Sequence, residues 1–281
     1  MQELNELITP KRDIIFKKLF GEEGNERIVK GFLEAILDIE IEEVDLDLSS
    51  ELLPEYADGK ESRVDVRTKL KDGTEVNIEM QTDKRAFHDK RCLNYWAKLY
   101  ANQIKRGDPY LKLHKTICIW IIDDEIWPEF KEYQSDWRII EQNHQISSYF
   151  NDLEFHMIEL KKFREDVTIK SSRKNFWLWF IDHTNKEMVE MACMSSEEIA
   201  EAKKEYERIT AIPGLVEQIE AEEMARRDKE LREYNAREEG RVEGKLETAE
   251  RMLKAGYSID EIITITGLSK EKIMELNDKN E

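Results

Sequence analysis

The feature that most constrains this chain is a stretch of strict two-residue alternation, RVDVRTKL-KDG-TEVNIEMQ, over residues 63–81. Alternation of this kind predicts two strands, and Asp72-Gly73 predicts the turn that joins them into a hairpin. On the first arm Val64, Val66, Thr68 and Leu70 share one face, and Arg63, Asp65, Arg67 and Lys69 the other. On the second arm Val76, Ile78 and Met80 oppose Glu75, Asn77, Glu79 and Gln81. With Lys71-Asp72-Gly73 as a three-residue loop and Gly73 left-handed, Leu70 meets Thr74, Val66 meets Ile78 and Val64 meets Met80. A two-residue turn slips the register by one and sets Val66 against Glu79, which burial forbids.

The favoured register places Asp65 directly across from Glu79, with Cβ atoms about 4.5–5.5 Å apart. Two facing carboxylates repel, so something must compensate. Three readings compete: a divalent cation between them, a raised pKa on one of them, or screening by Arg63, Arg67 and water. Oxygen ligands at such spacing suit Mg²⁺ or Mn²⁺ rather than zinc. Gln81 shares the face and could hold a water or a phosphate oxygen. The plain alternative is a solvent-facing hairpin of mixed charge. A second acidic cluster, Asp123-Asp124-Glu125, reads more simply as the solvated end of a buried strand.

Around the hairpin the chain alternates between helical and extended signals. TPKRDIIFKKLF (9–20) predicts a helix with Thr9 as N-cap, Pro10 in the first turn and Gly21 as its end. Ile28, Val29, Phe32, Leu33 and Ile36 recur at helical spacing in a second helix, Asn25 to Leu37. A short strand near Ile41–Leu48 and a polar loop around Pro54–Lys60 lead into the hairpin. A long helix from Phe87 to Ile104 follows, ended by Gly107-Asp108-Pro109. KTICIWII (115–122) is a β-branched apolar run that predicts a buried strand. Another strand is expected at Leu153–Leu160 and a short apolar helix at NFWLWFIDH (175–183). This order describes an α/β core over residues 1–185.

Beyond it the sequence is charged and helix-forming, a predicted arm over 186–245. Gly240 and Gly244 notch one face of it, which fits either a solvated helix or close approach in a dimer. Residues 246–281 carry a capping box at Ser258/Glu261, punctuation at Gly256 and Gly267, and a cap at Ser269. Three short helices of this kind resemble a helix-turn-helix, although the candidate recognition helix holds only Lys270 and Lys272 as cations.

The whole chain is acidic, with a formal net charge of -18, which argues against indiscriminate attraction to nucleic acid. Residues 60–115 invert that balance: 14 Lys and Arg stand against 8 Asp and Glu, while the rest of the chain carries 30 against 54. The basic block is the one that holds the facing carboxylates. No apolar run approaches the length of a membrane span. MQELNELITPKRD shows no secretory pattern, so a cytosolic protein is expected. Cys92, Cys118 and Cys193 fit neither a disulfide framework nor a zinc site. Phosphate-binding glycine loops and HExxH-type histidine motifs are absent, so neither ATP nor a dinucleotide cofactor is expected.

Asp65, thirteen intervening residues and then Glu79-Met80-Gln81 resembles the active-site signature of the PD-(D/E)XK nucleases, with Gln where lysine is usual. KRDIIFKKLFG before the hairpin and RCLNYWAKLYANQIKRGDPYLKLHKTICIWIID after it extend the resemblance over residues 8–185. In that order the three blocks are similar to the Rpn family of recombination-promoting nucleases, also called PD-(D/E)XK-family transposases. The resemblance implies a restriction-endonuclease-like mixed β-sheet flanked by helices, here with an all-helical C-terminal extension. It also implies a Mg²⁺-dependent DNA endonuclease, with Mn²⁺ as a substitute, serving recombination or mobile-element transfer. Asp65, Glu79 and Gln81 become the catalytic residues, and Asp65, Glu79 and the Met80 carbonyl the metal ligands. An amide at 81 would orient water rather than deprotonate it. Asp13 would stand just outside those ligands, or else be a surface carboxylate balanced by Lys17. Arg91, Tyr95 and Gln103 match polar or aromatic positions of the downstream block, where ordinary packing is the rival reading. Lys84, Arg85, Lys90 and Arg91 would meet the DNA backbone. The helical arm points to a homodimer. The competing class is a catalytically inactive DNA-binding or protein-interaction protein of the same fold.

Overall fold

The computed structural model describes residues 8–47, 51–52, 62–63, 65–82, 89–146, 148–166 and 171–278. The Pro54–Lys60 loop, Val64, Lys84, Arg85 and the predicted start of the long helix at Phe87 lie outside them, as does the Arg63 side chain. The chain forms two compact units, Met1–Val216 and Glu217–Glu281.

The first unit is built on a six-stranded mixed sheet. Its strands are β1 (Val44–Asp47), β4 (Val66–Leu70), β5 (Glu75–Gln81), β6 (Thr116–Ile122), β7 (Gln134–Arg138) and β8 (Leu153–Glu159). The spatial order is β1-β4-β5-β6-β8-β7, and a separate two-stranded ladder pairs β2 (Glu51–Leu52) with β3 (Ser62–Arg63). The hairpin β4–β5 is antiparallel, β5, β6 and β8 run parallel, and β7 closes the far edge antiparallel. The predicted register holds: Val66 pairs with Ile78 and Thr68 with Val76, with Gly73 at φ +91°. The Gly73 N–H donates to the Leu70 carbonyl, 2.9 Å, and the Leu70 N–H to the Thr74 carbonyl, 2.8 Å. A side chain at Gly73 is excluded twice over, by this backbone and by the His114 ring packed against it.

Helices cover both faces. On the Val66/Ile78 side lie α1 (Asp13–Gly21), packed on β4, and α2 (Glu26–Leu37), packed on β1. All five of the apolar positions read as the inner stripe of α2 are buried. Phe16, Phe20 and Phe32 join Trp177 and Phe180 in a ring cluster. On the opposite face α3 (Asp89–Asn102) sets Cys92, Tyr95 and Leu99 against Cys118, Trp120, Ile122, Phe155 and Met157. Short helix α4 (Leu160–Glu165) continues directly from β8, and α5 (Arg173–Asp182) starts on Ser172, whose side chain accepts from the Asn175 N–H.

Several expectations change. Helix α1 begins at Asp13, not after Thr9. Arg12 is extended (φ -71°, ψ 132°), and its N–H closes a turn onto the Thr9 carbonyl, 3.0 Å. The turn lets Lys11 reach Asp123, 2.9 Å, and the fully buried Asp182, 3.0 Å, a role a helical Lys11 could not fill. Asp123 is therefore not a solvated strand end: Arg164 also bonds it, 2.6 Å, and bonds Asp182, 2.6 Å. Strand β7 went unread because QSDWR lacks apolar alternation, as an edge strand permits.

The first unit also runs past residue 185. Helices α6 (Lys186–Ser195) and α7 (Glu197–Thr210) belong to it, and α7 packs on α1 and α2 with Ile199, Ala202 and Ile209 buried. The second unit holds most of the 40-residue α8 (Leu215–Lys254), with α9 (Ile259–Thr266) and α10 (Lys270–Asp278). Ala249, Ile262 and Ile273 form its small core, and the Ser258/Glu261 capping box is present. Among the described residues, the helix's own neighbouring backbone aside, nothing lies within 4 Å of where a Cβ would project from Gly240 or Gly244. Among the described residues no helix is long and apolar enough to cross a membrane.

Candidate active site

The site forms where β4 begins and β5 ends. Asp65 sits on the bend one residue before β4, and Glu79 lies near the end of β5. The main chain locks the two side chains together: the Asp65 N–H donates to Glu79 Oε1, 3.3 Å, and the Met80 N–H donates to Asp65 Oδ2, 2.8 Å. Below them Asn77 Nδ2 donates to Glu79 Oε1, 3.1 Å, while the buried Asn77 Oδ1 has no partner among the described residues. The polar face of β5 is therefore largely shielded from solvent, although Lys69 on the β4 arm stays exposed. Glu79 is only 2% exposed and Asn77 fully buried.

The two helical layers close on this pair from opposite sides. From α1, Lys17 reaches Asp65 Oδ1, 3.3 Å, and Asp13 Oδ1, 2.9 Å. The i,i+4 partner that balances Asp13 also joins it to Asp65. From α3, Arg91 donates to Gln81 Oε1, 3.2 Å, and to the Tyr95 hydroxyl, 3.1 Å. Its guanidinium lies over the Tyr95 and Trp120 rings, 5.0 and 5.5 Å from their centroids. Glu79 Oε2 has the Arg91 guanidinium at 3.8 Å, beyond hydrogen-bonding distance. Lys11, Asp13, Lys17, Asp65, Gln81 and Arg91 line a cleft of about 440 Å³, together with Met80, Thr82 and Tyr95.

Burial pushes the Asp65 carboxyl up to about 6, helped by Asp13 and opposed by Lys17 and the Met80 N–H. Burial, then the charge of Asp65, pushes Glu79 up to about 8. Burial lowers the pKa of Lys17, but Asp65 and Asp13 outweigh it and hold the ammonium above its ordinary value. The pair is thus a buried acidic site short of positive charge. Among the described residues no three His, Cys, Asp or Glu side chains converge as a cage. Two carboxylates, one of them lining the cleft, offer the oxygen ligands that a small divalent cation takes.

Of the residues singled out in the sequence, Asp65, Glu79, Met80, Gln81, Asp13, Arg91 and Tyr95 come together. Lys90 is exposed on α3. Gln103 stands apart from the cleft residues in role: it brackets the start of β6 through the His114 N–H, 2.7 Å, and Thr116 Oγ1, 2.9 Å. Lys11 and Lys17 were not read as site residues. For Lys17 the signal was available, since position 17 shares the helix face of Asp13, whereas Lys18 turns to Glu22, 2.7 Å.

A family model of the PD-(D/E)XK nuclease family transposases matches residues 10–235. The chain belongs to this family. The match contains every member of the cleft, and the mixed sheet flanked by helices is the restriction-endonuclease-like arrangement of PD-(D/E)XK proteins. It places the chain among nuclease and transposase-like proteins. No curated protein and no solved structure gives a significant match.

Proposed function

We propose that this PD-(D/E)XK family member is a Mg²⁺-dependent DNA endonuclease, with Mn²⁺ able to substitute, serving recombination or mobile-element transfer. The observation that carries the reading is the interlocked Asp65–Glu79 pair, buried and acidic, opening on a cleft bordered by Lys11, Lys17 and Arg91. Asp65, Glu79 and the Met80 carbonyl would hold the cation. When bound, it supplies Lewis-acid polarisation of a phosphodiester and activation of water.

The remaining work falls to side chains. Gln81 has its carbonyl oxygen engaged by Arg91, which leaves its amide N–H groups as donors toward a water or a phosphate oxygen. Arg91, clamped by Tyr95 and two rings, fixes that amide and holds positive charge beside Glu79. Lys90, exposed on α3, and Lys84 and Arg85, which precede it in the sequence, would meet a phosphate backbone. This local charge lets a chain of net -18 hold DNA at one place.

The test is plasmid nicking in Mg²⁺, Mn²⁺ or EDTA by wild type, Asp65→Asn and Glu79→Gln. Metal-dependent cutting lost in both variants supports the reading. DNA binding without cutting in either metal favours a non-catalytic protein of the same fold.

A further inference from the structure

Among the described residues three cations border the cleft, and two of them are committed. Lys11 is shared between Asp123 and Asp182, 2.9 and 3.0 Å. Arg91 is held by Gln81, Tyr95 and two aromatic faces on the Glu79 side. Lys17 differs. It approaches from the opposite helix layer, stands on Asp65 Oδ1 at 3.3 Å, and is steadied from outside by Asp13. An ammonium has three N–H bonds. Among the described residues that of Lys17 meets both Asp13 oxygens, 2.9 and 3.0 Å, and Asp65 Oδ1, and because Lys17 also lines the cleft it offers its positive charge to a ligand there.

The position of this ammonium is built into the fold. Ile15, Phe16, Leu19 and Phe20 are fully buried, so α1 cannot rotate, and the i,i+4 spacing keeps Asp13 and Lys17 on its cleft-facing side. Gln81, which also lines the cleft at the position where lysine is usual, carries no charge. A phosphodiester under attack gathers negative charge on its non-bridging oxygens, and fixed positive charge there lowers the barrier.

We propose that Lys17 is the fixed cation that receives the scissile phosphate, with Asp13 as its positioning residue. The inference rests on the nuclease reading above. In the step, the oxygen of water bonds to phosphorus and one phosphorus–oxygen ester bond breaks. The proton released from water ends on the leaving oxygen or in solvent. Lys17 neither gives nor takes a proton; its charge accompanies the phosphoryl oxygens throughout.

The experiment compares wild type, Lys17→Met, Lys17→Arg and Asp13→Asn for kcat and KM on a plasmid or oligonucleotide, and for Mn²⁺ affinity by calorimetry without DNA. Lys17→Met is expected to lower kcat by about 10²–10³-fold. Its Mn²⁺ affinity is expected to stay equal or rise, because a positive charge beside Asp65 has been removed. Lys17→Arg should recover a substantial part of kcat, and Asp13→Asn should lose less than Lys17→Met. Mn²⁺ affinity falling in step with kcat would overturn the proposal, because Lys17 would then serve only to hold Asp65. Unchanged kcat in Lys17→Met would also overturn it while leaving the nuclease reading intact. Wild type that binds Mn²⁺ but never cuts would remove the nuclease reading and this inference together.

Discussion

Asp65 and Glu79 are tied to each other through main-chain N–H groups: the Asp65 N–H serves the Glu79 carboxylate, and the N–H following Glu79 serves the Asp65 carboxylate. Two like charges are thereby held together inside the protein at fixed geometry. The arrangement works against stability and in favour of a cation.

The pH dependence of stability follows from that arrangement. Both carboxyls titrate higher in the folded state, at about 6 and about 8, than the ordinary carboxylate range near 4. Between about pH 4.5 and 8 the native protein therefore binds more protons than the unfolded chain, and stability falls as pH rises. In EDTA the Tm should drop across that window, and Glu79→Gln should flatten the drop. Mn²⁺ competes with those protons, so its stabilising effect should be larger at pH 8 than at pH 5.5. Thermal melts with and without Mn²⁺ check this; a Mn²⁺ shift independent of pH would contradict it.

His156 adds a second pH dependence of the same sign at the sheet edge. Its ring bridges Asp136, 2.7 Å, and Glu154, 2.8 Å, and Glu154 also meets Arg138, 2.7 Å, and Lys115. Burial pulls the imidazole down, but the two carboxylates outweigh it and its pKa is raised. The His156 bond lowers Asp136; Glu154 is lowered despite burial by His156, Lys115 and Arg138. The histidine contribution is complete below about pH 6.5 and lost as pH climbs through its raised folded value; the carboxylate contribution is lost as pH falls below about 4. His156→Gln should cost about 1–3 kcal/mol near pH 5.5 and less at pH 9, read by urea denaturation at both pH values.

Arg91 should not tolerate lysine. A lysine keeps the charge but cannot stack on Tyr95 and Trp120 while bonding Gln81 and the Tyr95 hydroxyl. Arg91→Lys is expected to lower kcat/KM by at least about tenfold, with circular dichroism unchanged. Kinetics equal to wild type would show that the clamp on Gln81 is dispensable.

Asp182 carries a structural prediction. It is fully buried between Lys11 and Arg164, and Asp182→Asn would leave both cations short of a partner. A loss of about 3 kcal/mol is expected, measured by denaturant unfolding. A loss below about 1 kcal/mol would mean that Asp123 suffices to hold both.

Much of this was legible in the chain. The hairpin register followed from alternation and one glycine, because an error of one residue would turn Glu79 onto the apolar face of Val66. The parallel strand β6 announced itself as an unbroken apolar run. What stayed hidden depended on contacts between distant segments. The polar face of β5 looks solvent-facing in a sequence, because nothing local reveals that α3 covers it. Thr9 and Pro10 look like a helix start until Asp123 and Asp182 pull Lys11 away. Lys17 reads as a simple partner of Asp13, and only the approach of α1 to β4 brings it to Asp65.

The most direct test of the account is plasmid nicking by the purified protein in Mg²⁺, Mn²⁺ or EDTA, with Asp65→Asn and Glu79→Gln alongside. Cutting by wild type in metal, absent in EDTA and in both variants, is the predicted result. Cutting that survives either substitution, or wild type that binds both metal and DNA yet leaves the plasmid intact, would contradict it.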